Sequence, residues 1–315
     1  MKKLVVSTSP HIYSSITTQR IMGDVLIALA PAAIASVVLF GIKALVLLAV
    51  CISACVISEF LFNLAVKKKQ TVSDLSACVT GTLLALSLPA TTTVWQCIVG
   101  SAFAIVIVKC CFGGIGSNFA NPAVTARVFL LVAFTSSVAG GVVTNLQDAD
   151  LVAGATPLAL IKAGDVTSLP SLLDMFIGNR AGAIGETCAI ALILGGIYLI
   201  VRRVINWYSP AIFIGTVFVL SLIIKQDISI ALYEVLGGGV IISAFFMITD
   251  YSSTPINKLG KMIFALGCGL ITVLIRFWGT YPEGVSFAIL LMNIVSPYIE
   301  KLCEKKPLGK ECKQK

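Results

Sequence analysis

The chain is poor in charge and almost without histidine. Only 12% of its 315 residues are Asp, Glu, Lys or Arg, and His11 is the single histidine. With one imidazole available, histidine-based metal centres and a Ser-His-Asp triad are excluded. Ten cysteines are present, yet none forms a Cys-x-x-Cys pair, which removes the commonest zinc and redox spacing. Cys110-Cys111 and the helically spaced Cys51 and Cys55 are the remaining pairs that bear on metal or cluster binding. Most of the cysteines, including Cys97, Cys188 and Cys268, sit inside apolar runs, where a thiol behaves as a small hydrophobe. What replaces charge is apolar surface: 57% of the residues are hydrophobic and the mean hydropathy is +0.99, far outside the range of soluble globular domains. The chain therefore reads as an all-α integral membrane protein forming a single polytopic domain over residues 1–315.

Apolar runs of membrane-spanning character fall at 21–41, 43–66, 76–90, 94–112, 122–140, 182–201, 209–225, 229–248, 260–277 and 283–299. About ten transmembrane helices are expected, although several runs are short or carry Gly and Pro. About twenty polar-leaning residues precede the first run and nine more runs follow, so a cleaved signal peptide is not expected there. The net charge of +8 would suit nucleic acid, but the basic residues cluster at run ends: Lys2-Lys3, Lys67-Lys68-Lys69, Arg202-Arg203, Lys258 with Lys261, and the 300–315 tail. With ten spans these clusters share one side, expected to be the cytoplasm of an inner membrane, with residues 1–20 and both termini there. The connection 140–181 falls on the opposite, extracytoplasmic side. No nucleic-acid partner is expected.

Two connections on the basic side have unusual composition. One runs Gly113-Gly114-Ile115-Gly116-Ser117-Asn118-Phe119-Ala120-Asn121-Pro122, leading to Arg127; the other runs Thr249-Asp250-Tyr251-Ser252-Ser253-Thr254-Pro255. Read plainly they are interhelical turns; read functionally, irregular backbone of this kind at membrane depth lines a cavity or an ion path. Asn121, Thr249 and Asp250 are the candidate ion-path residues. Small residues at Ser76, Ala77 and Gly81 suit close helix packing, and the hydroxyls of Thr80 and Thr82 are candidate ligand contacts. Glu59, Glu186 and Glu234 lie within apolar runs, where an isolated charge costs about 2.5–3.5 kcal/mol. Lying near run ends, they are expected to pair or snorkel, with ion transport as the alternative. Arg276 and Glu283, near run ends, are expected to pair or snorkel, and Trp278 and Tyr281 to anchor an interface.

The stretch Asp150-Leu151-Val152-Ala153-Gly154-Ala155-Thr156-Pro157 resembles the Asp-x-x-x-Gly-Ala-Thr motif on which a dedicated transferase places FMN through a phosphoester to the threonine hydroxyl. The chemistry needs an alcohol at Thr156 and small neighbours at Gly154 and Ala155. By itself the tetrapeptide is also an ordinary turn before a helix, with Pro157 at a first-turn position. The 140–181 connection otherwise holds Asp148, Asp165 and Asp174 against Lys162 and Arg180.

Dispersed segments in the same order widen the resemblance to nearly the whole chain: Ser9-Pro10-His11, Asp24 to Pro31, Val79-Thr80-Gly81 to Pro89, Asn121-Pro122-Ala123 to Arg127, Phe246 to Asp250, and Tyr281 to Asn293. In these it resembles the D subunits of the Rnf complexes and, more distantly, the B subunits of sodium-pumping NADH:quinone oxidoreductases. Ala153 departs from the Ser or Thr of many relatives, while the Thr156 hydroxyl is retained. The resemblance implies a subunit of an ion-translocating ferredoxin:NAD oxidoreductase, not catalytic alone, with covalent FMN on Thr156 as an electron relay. Asp150, Gly154 and Ala155 would frame that attachment. Implied partners are the other Rnf subunits, a flavin transferase and Na+ or H+; a second, non-covalent flavin is left open. The chain shows neither a nucleotide-binding fold nor an iron–sulfur motif, so NAD and ferredoxin fall to partner subunits. Two inverted five-helix halves would fit the count, although no sequence repeat is evident. The rival reading from another class is a non-redox channel or secondary transporter; a structural subunit lacking the flavin is a third.

Overall fold

The computed structural model describes residues 17–143, 152–165 and 167–304. Within them lie α1 (Thr18–Phe40), α2 (Ile42–Ala65), α3 (Ser76–Ser87), α4 (Val94–Cys110), α5 (Pro122–Ala133), α6 (Pro157–Ala163), α7 (Leu172–Ile177), α8 (Ala189–Val201), α9 (Tyr208–Lys225), α10 (Ile228–Leu236), α11 (Val240–Met247), α12 (Lys258–Trp278) and α13 (Val285–Leu302). One antiparallel ladder, β1 (Gly141–Val143) with β2 (Val152–Gly154), is the exception to the helical architecture. Five helices (α1, α2, α9, α12 and α13) are long and apolar enough to cross a membrane, and the α10–α11 pair is a sixth candidate, bent by 61°. The shorter α3, α4, α5 and α8 fall below the roughly 20 residues that a crossing takes.

Every apolar run of the sequence carries helix, with three departures. The run 122–140 stops at Ala133, where Phe134 leaves helical geometry and a separate turn, Thr135–Val138, follows. The run 182–201 is helical only from Ala189. The residues before it form a turn, closed by the Glu186 amide donating to Ala183 O at 3.0 Å, while the Ile184 amide donates to Leu88 O at 3.0 Å and the Gly185 amide to Leu86 O at 2.8 Å. That segment satisfies its backbone against protein at the end of α3, as irregular backbone away from water must. The run 229–248 breaks at Gly237-Gly238-Gly239, with Gly238 and Gly239 at φ of 56° and 71°, values that glycine adopts without steric cost.

The units on either side of the long 134–188 connection repeat a neighbour order. α2 packs on α3 and α4 as α9 packs on α10 and α12, while α1 meets α8 and α5 meets α13. α5 and α13 run antiparallel. Arg127 reaches Glu283 at the start of α13, and Asn293, ten residues further on, exchanges hydrogen bonds with Ser253 O at 3.2 Å and the Asn121 amide at 3.1 Å once its amide is oriented to suit them. Close approach is permitted by missing side chains: a Cβ on Gly81 of α3 would lie 2.8 Å from Cys51 O of α2, and one on Gly195 of α8 would collide with Ala28 O of α1.

The connections segregate into two sets. On one side, Thr91 Oγ1 donates to Ser137 O at 2.8 Å, Lys162 Nζ to Tyr281 O at 3.1 Å, and Tyr233 OH to Pro170 O at 2.6 Å. On the other, Arg202 pairs with Asp24 at 3.2 Å and Lys258 lies 5.5 Å above the Tyr208 ring. This second side holds Lys67, Lys68 and Lys69 and the Thr249–Pro255 turn.

Candidate functional site

Two cavities lie towards opposite ends of the α5–α13 pair. The first, on the side of the 134–188 connection, is a narrow cleft of about 10 Å³ lined by Thr156, Arg180, Gly182, Glu186, Gly238 and Glu283, among others. Thr156 caps α6: its Oγ1 accepts from the Ala159 amide at 3.3 Å, with Pro157 at the first helical position. The plain turn reading and a functional one thus coexist in one residue. Thr156 is 8% exposed, and its Cγ2 packs where a Cβ on Gly141 would stand, 2.8 Å away. Gly154 is half-buried and Ala155 exposed; Asp150 lies outside the described residues.

Around this cavity two arginines face two carboxylates. Arg127 of α5 is buried and bridges two carboxylates, Glu186 Oε1 through Nη1 and Glu283 Oε2 through Nη2 at 2.6 Å. Arg180 is equally buried, at 5% exposure, but its guanidinium meets only the carbonyls of Thr187 at 3.3 Å and Glu186 at 2.6 Å and the Met175 sulfur at 3.5 Å. Burial pushes its pKa down to about 10, against the pull of Glu186 and Glu283. Beneath the cavity, Arg276 of α12 pairs with Glu234 Oε2 at 2.8 Å and donates to the Gly237 and Gly238 carbonyls at 3.1 and 3.3 Å. The break between α10 and α11 thereby directs its free carbonyls at a cation. Arg276 and Glu283 thus both pair, each with a partner across the fold.

The second cavity opens on the basic side and is the larger, at about 90 Å³. Its apolar wall includes Ile21, Met22, Val25 and Leu83, and its polar groups include Ser76, Thr80, Lys109, Asn121, Thr249 and Asp250. Asn121 does two jobs there. Its Oδ1 caps α5 by accepting from the Ala123 amide at 3.1 Å, leaving Nδ2 to donate to Asp250 Oδ2 at 3.3 Å. The Asp250 carboxylate also accepts from Ser252 Oγ at 2.9 Å and Ser253 Oγ at 3.1 Å, and it forms no ion pair among the described residues. The structure thus brings Asn121, Thr249 and Asp250 to one cavity, while Thr156 belongs to the other. Thr80 lines the cavity but donates to Ser76 O, and Thr82 donates to Cys78 O.

Lys109, which sequence reasoning passed over, is buried at the cavity edge between Glu59 Oε2 at 2.8 Å and Ser76 Oγ at 2.7 Å. Glu59, Glu186 and Glu234 are all ion-paired, so of the two roles expected for them the structure shows pairing. No cluster of three or more His, Cys, Asp or Glu suited to a metal occurs among the described residues.

The fold and its two cavities define a polytopic helical membrane protein with charged and polar groups held inside the helix layer. Residues 5–309 match the model of the NQR2, RnfD, RnfE family, and the chain belongs to that family. It is 46% identical over 308 residues, covering 97% of this chain and 95% of the relative, to the D subunit of the Na(+)-translocating ferredoxin:NAD(+) oxidoreductase complex of Acetobacterium woodii. It is 38% identical over 316 residues, 96% of each chain, to the D subunit of the proton-translocating ferredoxin:NAD(+) oxidoreductase complex of Clostridium ljungdahlii. To the D subunit of the ion-translocating oxidoreductase complex of Methanosarcina acetivorans the identity is 31% over 310 residues, 98% of each.

Proposed function

We propose that this chain is the D subunit of an ion-translocating ferredoxin:NAD oxidoreductase complex, carrying covalent FMN on Thr156 as an electron relay and coupling electron transfer to movement of Na+ or H+. It acts with the other Rnf subunits and a flavin transferase and is not catalytic alone. The observation that carries the reading is the whole-length relationship to subunits so named, joined to a threonine hydroxyl set in a cavity wall that also holds a buried arginine. These residues fit a flavin phosphate: Thr156 supplies the alcohol, Gly154 and Ala155 leave its approach free of bulk, and Arg180 supplies positive charge. Bound flavin would supply the reversible redox chemistry, and the protein position and electrostatics.

Ten crossings of the inner membrane are proposed, with α3, α4, α5 and α8 as short ones, the termini in the cytoplasm and the Thr156 cavity on the extracytoplasmic face. The clustering of Lys67–Lys69, Arg202 and Lys258 on the Asp250 side supports this orientation. Asp250, Thr249 and Asn121 are the proposed ion-path residues, because the Asp250 carboxylate has polar neighbours but no basic partner among the described residues. The relatives bear names with sodium in one case and protons in another, so the coupling ion is a choice between these two. A second, non-covalent flavin is proposed for the larger cavity, against its apolar wall of Ile21, Met22, Val25 and Leu83; a flavin-to-protein ratio above one in the native chain tests that.

The decisive experiment is a denaturing gel, viewed under ultraviolet light, of the chain made with an active flavin transferase beside a Thr156→Ala variant. Fluorescence in the parent alone supports the relay. A dark parent band overturns it.

A further inference from the structure

We propose that a third cavity, on the side of the 134–188 connection, binds the phosphate of an anionic phospholipid headgroup. The cavity measures about 80 Å³, and its wall holds Lys162 of α6, Lys225 at the end of α9, and Arg276 and Phe277 at the end of α12, with Glu234 as its one carboxylate. Three cations thus face one anion. Glu234 is taken by Arg276 at 2.8 Å, and neither lysine forms an ion pair among the described residues. The carboxylates close by in the chain have other partners: Asp165 accepts from Thr167 and Ser168, Asp227 from the Ser229 amide, and Glu283 from Arg127.

Hydrogen-bond donors are left over as well. Lys162 Nζ donates to the Gly279 and Tyr281 carbonyls, which leaves one of an ammonium's three donors. Lys225 lies 5.4 Å above the Phe277 ring, an interaction that uses its charge and none of its acceptor-seeking hydrogens in a directed bond. Arg276 is 4% exposed, and its Nε is buried without an acceptor. A phosphate brings to such a wall both negative charge and several acceptor oxygens; a metal cation is repelled by it. By the measure in which one water needs about 10–15 Å³, the cavity admits a phosphate group and not a whole lipid. The rest of a lipid has a surface to lie on. Ile224 and Trp278, chain neighbours of Lys225 and Phe277, are 38% and 70% exposed at the ends of two helices long and apolar enough to cross a membrane. Tryptophan at such an end sits at headgroup level, with acyl chains alongside the apolar residues below it. Free phosphate offers the same oxygens but has no use for that surface.

The test uses the full chain in detergent as parent, as Lys162→Gln with Lys225→Gln, and as Lys258→Gln with Lys261→Gln, which removes the same charge on the opposite side. Both cavity lysines are exposed, so the variants are expected to fold as the parent does, which equal melting temperatures check. Native mass spectrometry reads the first bound phosphatidylglycerol and the first bound phosphatidylcholine of matched acyl chains. The parent is expected to hold phosphatidylglycerol several-fold more tightly than phosphatidylcholine. Loss of Lys162 and Lys225 should weaken phosphatidylglycerol about twenty-five-fold, about fivefold for each lysine, and leave phosphatidylcholine unchanged, while the Lys258 and Lys261 variant keeps the parent's preference. A parent with no such preference, yet stabilised against heat by inorganic phosphate where the Lys162 and Lys225 variant is not, overturns the lipid and leaves an inorganic-anion site. Equal phosphatidylglycerol binding by the parent and the Lys162 and Lys225 variant, or an equal loss in the Lys258 and Lys261 variant, overturns the site itself.

Discussion

Asn121 and Asp250, 129 positions apart in the chain, meet through a 3.3 Å hydrogen bond from Nδ2 to Oδ2. The same Asn121 side chain starts α5, so the cavity carboxylate is tied to a helix terminus. Replacing Asp250 with Asn keeps the shape and removes the charge. In the assembled complex, the ions moved per electron are expected to fall roughly tenfold, as when about 1.4 kcal/mol of binding is lost, while electron transfer itself persists. An unchanged ratio of ion uptake to electron transfer would take Asp250 out of the path.

Thr156 is also an N-cap, so its alanine variant has a structural effect to be separated from the chemical one. Losing the cap is expected to cost about 0.5–2 kcal/mol. Thr156→Ser keeps a hydroxyl, and it should retain both the cap and flavin fluorescence. A serine variant that folds like the parent yet stays dark would show that the transferase reads the threonine methyl as well.

The Lys109–Glu59 pair is buried on both sides, with side-chain exposures of 3% and 1%. Removing one partner strands a charge, and Lys109→Met alone should destabilise by about 3–5 kcal/mol, whereas Lys109→Met with Glu59→Leu should recover most of that loss. Unfolding by a denaturing detergent reads both. If the double variant is no better than the singles, the pair does more than neutralise charge.

Glycines divide sharply by surroundings. A methyl at Gly81 would meet Cys51 O and Ile52 Cα at 2.8 Å each, whereas one at Gly23 of α1 meets nothing within 4 Å. Gly81→Ala is expected to destabilise by about 1–3 kcal/mol through overpacking. Gly23→Ala should be neutral or stabilising by up to about 1 kcal/mol through helix propensity. Equal melting temperatures would mean that α2 and α3 can part without loss.

Much of this was legible in the residues. The helix-breaking stretches around Asn121-Pro122 and Thr249–Pro255 announced a polar place, because Asn and Asp at such breaks have backbone groups to serve. That they serve one cavity is a fact of packing. The break at Gly237-Gly238-Gly239 was visible as three glycines, yet hydropathy averages across glycine and the run reads as one span. Residues 182–188 are mostly small and adjoin an apolar run, and so read as helix; what turns them out of it is the end of α3, whose Leu88 and Leu86 carbonyls take the Ile184 and Gly185 amides. Lys109 was hidden because a single lysine at the end of a run looks like a snorkelling residue until Glu59, fifty positions earlier, is placed beside it. Arg180 was counted only as one charge of a loop, and nothing local to it says that it is buried.

At one end of the α5–α13 pair, Arg127 and Arg180 balance Glu186 and Glu283; at the other, the Asp250 carboxylate meets only neutral donors among the described residues. The protein is polarised at that one mouth before any ligand arrives, and it draws cations there. A voltage exerts no net translating force on a neutral cluster but acts on uncompensated charge, by about 2.3 kcal/mol for each charge carried across 100 mV. Electrical sensitivity of the two cavities therefore concentrates at Asp250 and at the cation that joins it.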